Sequence, residues 1–166
     1  RGGFEIAFKD ERYENTGRPF SLPEAVQPLK AEDWPAVRDY DAACFGVARP
    51  QFLKPWLEQA AYQAFTFKEN QQLRGFCVLR KAAQGYKIGP LQADPPAIAE
   101  TLYQACLNAA VDEPVYLDIA MNYPEAVNLV HKYQAKYVFE CARMYYGTPP
   151  PAQWAKVFGL TSFEVG

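Results

Sequence analysis

A single histidine, His131, serves all 166 residues, so a metal centre built on several imidazoles is excluded. The four cysteines, Cys44, Cys77, Cys106 and Cys141, include no Cys-x-x-Cys pair. Such wide spacing suits reduced, buried thiols better than a disulfide framework or a zinc site, and points to a cytoplasmic setting. No apolar run approaches the roughly 20 residues of a membrane span, so no membrane partner is expected. Positive charge is not in excess: 17 Lys and Arg stand against 19 Asp and Glu, a net charge of −2. That argues against a nucleic-acid partner gripped through its phosphates. Internal repeats and low-complexity tracts are lacking too.

What is there is apolar and aromatic. Hydrophobic residues make up 49% of the chain, with 11 Phe and 11 Tyr, enough for one domain with a sizeable core and for strands and aromatic-lined clefts. Phe4, Ile6 and Phe8 alternate with Glu5, Ala7 and Lys9, which predicts a half-buried strand over 4–12. Residues 14–23, with Asn15, Gly17, Pro19, Ser21 and Pro23, read as a linker. Residues 1–22 are therefore expected to stand apart from a domain over 23–166. The chain begins at Arg1, without a methionine, and is expected to be a piece of a longer polypeptide.

The patterning of that domain predicts a strand at 25–29 and a helix opened by Glu32 and Asp33. A second helix follows from Arg49 and Pro50, then a hairpin of strands at 62–68 and 73–80. After a strand from Tyr86, a helix and a strand over 115–121, it predicts a helix from Pro124 and a strand over 137–145. A short helical piece at 152–158 and a last strand at 161–165 close the chain. This is an α+β order with a mixed central sheet flanked by helices.

The stretch from Lys87 to Ala110 organises the rest. It reads as buried strand, tight turn and helix, with Asp94 as N-cap and Pro95 or Pro96 in the first helical position. Ile98, Leu102, Ala105, Cys106 and Ala109 then fall on one apolar stripe. A strand that feeds a helix N-terminus through a short turn suits an anion.

Several segments in this order resemble one family. They are Asp41-Ala-Ala-Cys44-Phe45-Gly46 with Arg49-x-x-Phe52-Leu53, then Ile88-Gly89-Pro90-Leu91, Cys141-Ala142-Arg143-Met144-Tyr145, and Phe158-Gly159-Leu160-Thr161-Ser162-Phe163-Glu164. Over about residues 25–166 the chain resembles the GNAT (N-acetyltransferase) superfamily, and within it the C-terminal acetyltransferase-like domain of tandem GNAT proteins. The resemblance implies the GNAT acyl-CoA N-acyltransferase fold. It also implies that Phe4 to Arg12 comes from the last strand of a preceding domain.

The resemblance further implies acetyl-CoA as co-substrate, inserted where two parallel strands part. By position these are Tyr86–Gln92 and Val115–Met121. Leu91, Gln92, Ala93, Asp94, Ala97, Ile98 and Asn122 would then bind it. The family's pyrophosphate motif, Gln/Arg-x-x-Gly-x-Gly/Ala, falls on Gln92, Pro95 and Ala97, so its central glycine is replaced. Pro95 and Pro96 offer no N–H, and Asp94 adds a negative charge. An ordinary proline helix start explains these residues equally well. Tyr133, one turn from the family's usual tyrosine position, is the candidate acid, or else a core ring. Asp118 and Glu140 are the candidate bases, or else paired strand carboxylates. Arg143 either pairs with Asp118 or meets a ligand.

Two functional readings follow. In the first the chain is an N-acetyltransferase-type domain that moves an acyl group from acetyl-CoA to a small-molecule or peptide amine acceptor. In the second it is a non-catalytic GNAT-like domain that binds an acceptor or partner, or braces a catalytic domain. The first strand, once unpaired, would pair with a preceding domain or a second copy.

Overall fold

A computed structural model describes residues 2–59 and 61–166. Its strands are β1 (Phe4–Thr16), β2 (Val26–Pro28), β3 (Tyr62–Glu69), β4 (Gln72–Lys81), β5 (Tyr86–Ala93), β6 (Pro114–Ala120), β7 (Lys136–Tyr146) and β8 (Val157–Gly159). The helices are α1 (Trp34–Phe45), α2 (Pro50–Leu57), α3 (Pro96–Ala109) and α4 (Pro124–Lys132). The strands lie in the order β2-β3-β4-β5-β6-β1-β7, with β8 paired to β5. Among the described strands β5 and β6 run parallel, and the other pairs are antiparallel.

Local chemistry sets most of these elements. The β3–β4 hairpin turns on Asn70 and Gln71, both at positive φ, the conformation its right-handed twist favours. Helix α1 ends at Gly46, where φ is +88° and a Cβ would come within 2.7 Å of the Pro151 carbonyl. Only glycine suits both demands. Pro50, Pro96 and Pro124 each open a helix where no N–H is needed.

Two layers of helix sandwich the sheet. Leu79, Ile88, Leu91, Leu117 and Ile119 face α3 and α4, and form the main core with Ile98, Leu102, Tyr103 and Val130. On the other face Phe76 and Val78 pack on Val37 of α1 and Leu53 of α2. Burial raises the thiol of Cys44 to about 12. It raises Cys106 too, with the neighbouring Cys77 sulfur, 3.5 Å away, adding to the effect. Cys141 alone of the four is exposed. A thiol-reactive disulfide reagent at pH 8 should therefore titrate one thiol rapidly in the native protein and four after denaturation; two fast thiols would contradict this packing.

Four features differ from the expectations. First, residues 4–16 do not stand apart. They form a 13-residue strand inside the sheet, paired with β6 from Asp10↔Ala120 to Thr16↔Pro114 and with β7 from Phe4↔Tyr146 to Glu14↔Lys136. Alternation marked the strand, but its partners lie about a hundred residues or more away, beyond local pattern. Second, Asp94 is not the N-cap. Pro95 takes that position, and the Asp94 carboxylate turns to Lys156 and Arg74 at 3.6 and 3.9 Å. Third, the piece over 152–158 holds a single 3-10 turn, Trp154–Lys156. Fourth, the closing strand is Val157–Gly159, while Thr161–Val165 forms bends and turns. Thr161 and Ser162 are buried under the tail, where Thr161 N–H donates to the Gly166 carbonyl at 2.8 Å and turns the chain out of the sheet.

Candidate functional site

The parallel strands part after a short paired stretch. β5 and β6 pair only at Tyr86↔Val115, Lys87↔Tyr116 and Ile88↔Leu117. Beyond Ile88 they separate, as expected. The gap is filled by β8, which pairs with β5 at Leu91↔Gly159 and Gln92↔Val157. On its other side Leu160 N–H donates to the Asp118 carbonyl of β6 at 2.8 Å. Phe158 and Leu160 are both 1% exposed. Fit is close: a Cβ on Gly89 would lie 2.4 Å from the Thr161 carbonyl oxygen, and one on Gly159 would lie 2.6 Å from Leu117 Cδ1. A pantetheine arm would need the backbone groups that β8 already holds.

The turn after β5 uses its own amides. Asp94 N–H donates to the Arg74 carbonyl at 3.1 Å and Ile98 N–H to the Pro95 carbonyl at 3.0 Å. Two prolines contribute no donor, and the Asp94 carboxylate sits beside them. Leu91, Gln92, Ala93 and Ile98 are buried; Ala97 and Asn122 are exposed. These residues do not fit a pyrophosphate or a thioester arm of coenzyme A at this slot.

The candidate acid and bases are not brought together. Asp118 accepts Arg12 Nε and Nη2 at 2.6 and 2.7 Å, and this pair is nearly buried. Tyr133 sits across the main core, donating to Glu100 of α3 at 2.7 Å and accepting from Gln104 at 2.6 Å. Burial, then the Glu100 charge, hold its phenol up at about 12. Glu100 itself stays below the usual carboxylate range: burial lifts it, but hydrogen bonds from Lys132 and Tyr133 outweigh that. Glu140 lies on the outer face of β7 in an exposed pair with Lys9 at 2.6 Å.

A different set of residues does converge. On the α1 side of the sheet, beside β8, a cavity of about 250 Å³ is lined by Phe45, Arg49, Gln92, Arg143, Trp154 and Phe163 among others. Asp41, 1% exposed, anchors it. It accepts Arg49 Nε and Nη2, both at 2.8 Å, and Gln92 Nε2 at 2.8 Å. Arg49 also donates to Thr161 Oγ1 at 2.8 Å and lies 3.9 Å from the Phe45 ring centre, so the two ends of the domain meet here. Across the cavity Arg143 Nε donates to Asp10 Oδ2 at 2.8 Å. Burial raises the Asp10 carboxyl, and Arg143 only partly offsets this.

The sequence strings containing Asp41, Arg49 and Arg143 were legible as motifs, but the partners were not. Gln92 turns away from the helix N-terminus toward Asp41, and Arg143 meets Asp10 rather than Asp118. Opposite charges eight residues apart, as in Asp41 and Arg49, were the available signal. Among the described residues no cluster could hold a metal ion, and no helix is long and apolar enough to cross a membrane.

Known proteins share this architecture. The family described as acetyltransferase (GNAT) domain matches residues 37–159. Holothin acyltransferase of Pseudoalteromonas sp. (strain SANK 73390) is 24% identical over 174 residues, covering 100% of this chain and 57% of that protein. A Pyrococcus horikoshii protein assigned as an acetyltransferase superposes with a TM-score of 0.81 at 24% identity, over 98% of this chain and 53% of that one. A GCN5-related N-acetyltransferase from Sphaerobacter thermophilus gives 0.62 at 14% identity, over 93% and 56%. The chain thus spans a little over half the length of these relatives. At such identities the structural likeness speaks for the fold.

Proposed function

Because the chain belongs to the GNAT acetyltransferase family, we propose that it serves acyl transfer as an acceptor-side domain, with the acyl thioester held outside this chain. The observation that carries this reading is β8 lodged between β5 and β6. The family's donor slot is taken by the chain's own backbone, while the cavity beside it is open to a ligand. On this reading acetyl-CoA is bound by a second GNAT unit, and the acceptor is a small-molecule or peptide amine.

Two features support a second unit. The relatives are nearly twice as long as this chain. The far end of the β1–β7 ribbon also presents Phe4, Ile6, Met144 and Tyr146, which are 59%, 66%, 45% and 73% exposed. An apolar end of this kind suits a neighbouring domain. β1 is then the closing strand of that unit, lent to this sheet.

Calorimetric titration with acetyl-CoA tests the reading. No saturable binding is expected up to about 1 mM, a threshold of roughly 4 kcal/mol. One-to-one binding in the micromolar range would overturn it and return the chain to the catalytic reading.

A further inference from the structure

Resting on the acceptor-side reading, we propose that the cavity beside β8 takes a small flat molecule carrying an N–H donor and a carbonyl oxygen, an aromatic carboxamide or lactam.

The orientation of Gln92 is the main ground. Asp41 is doubly bonded by Arg49 and, ionised, can only accept. The Gln92 amide must therefore direct its NH₂ to Asp41, as the 2.8 Å contact shows. Its carbonyl oxygen is left buried, with no hydrogen-bond partner among the described residues, on a side chain that lines the cavity and belongs to a residue only 2% exposed. Buried carbonyls are seldom left unpaired, and a ligand N–H would satisfy this one.

Arg143 supplies the complementary half. Its Nε donates to Asp10 Oδ2 at 2.8 Å, and its buried Nη2 lies 2.8 Å from the same oxygen as an ion pair without hydrogen-bond geometry, so at most one of the two Nη2 N–H groups is turned to Asp10. One donor thus remains for a ligand oxygen. Both guanidinium groups lining the cavity already face a carboxylate, Arg49 with Asp41 and Arg143 with Asp10. A carboxylate ligand would find no unneutralised guanidinium there, so a neutral carbonyl matches better than an anion. The rings of Phe45, Trp154 and Phe163 line the space for a flat body. A cavity of about 250 Å³ has room for a small flat body.

The probes are indole-2-carboxamide, indole-2-carboxylate and 2-methylindole, titrated by calorimetry into the whole chain, with acetyl-CoA as competitor. The carboxamide should bind at least about tenfold more tightly than either analogue. Gln92→Leu, of similar size and without the orphan oxygen, should lose about tenfold of that affinity while keeping the far-ultraviolet spectrum of the parent. Equal affinity for carboxamide and 2-methylindole would overturn the proposal, and this comparison needs no variant. So would preference for the carboxylate, or carboxamide affinity unchanged in a folded Gln92→Leu. If only the cavity assignment fails, acetyl-CoA still does not bind. If the acceptor-side reading fails, acetyl-CoA binds in its own right.

Discussion

Replacing Asp118 by alanine should lower stability by about 3–5 kcal/mol. The carboxylate holds Arg12 in a two-pronged bond at 2.6 and 2.7 Å, with side chains only 13% and 6% exposed for arginine and aspartate. The guanidinium carbon lies 4.8 Å from the Phe139 ring centre and 4.9 Å from that of Phe163. Removing the carboxylate leaves a largely buried cation between two rings without its counter-charge. The pair also joins β1 to β6, since Arg12 and Asp118 face each other in register. Arg12→Met combined with Asp118→Leu should recover most of the loss, because two packed apolar chains leave no charge behind. Urea midpoints at constant slope measure both. A general base would behave differently: Asp118→Ala would then abolish turnover and barely move the midpoint.

The second large effect is expected at Phe158. Its truncation to alanine should lose about 3–5 kcal/mol. The ring is 1% exposed, meets Tyr123 edge-on at 5.0 Å, and belongs to the main core under α3 and α4. It is also the middle residue of β8, so its loss loosens the strand that occupies the parted sheet. Amide exchange at Leu160, bonded to the Asp118 carbonyl, should accelerate more than exchange at the β3–β4 hairpin. A change under about 1 kcal/mol, with Leu160 protection intact, would show that β8 does not lodge there.

Much of the fold was legible because its signals are local. Alternation at Tyr62 to Lys68, the turn at Asn70 and Gln71, and proline at helix starts each act within a few residues. The GNAT resemblance added the order. What escaped depends on contacts distant in sequence. Nothing near Phe4 states that its strand lies between β6 and β7. Nothing near Val157 states that three residues will wedge between two strands met some seventy residues earlier in one case and forty in the other.

The site was harder for the same reason. Gln92, Asp118 and Arg143 were all marked on the sequence, but their roles depend on which charge each one meets. Gln92 was read as a phosphate ligand from its motif position, and it serves as the donor that Asp41 demands. Tyr133, by its position either acid or core ring, lies in the main core with its hydroxyl committed to Glu100. Residue type and spacing gave the chemistry available; packing chose the partners.

The placement of β1 carries a consequence for how the molecule is made. Its partners are separated from it by about a hundred residues or more, 106 for Arg12 and Asp118 and 133 for Asp10 and Arg143. A ribosome adds about 5–20 residues each second, so this segment leaves the exit tunnel on the order of 5–25 s before the strands that flank it. During translation its mates in this sheet, β6 and β7, are not yet made, and this sheet is finished only when they arrive. Charged side chains at Glu5, Lys9, Asp10, Glu11, Arg12 and Glu14 keep the waiting ribbon in water, as edge charges do. Their density suits a strand that must stay soluble before it can be enclosed.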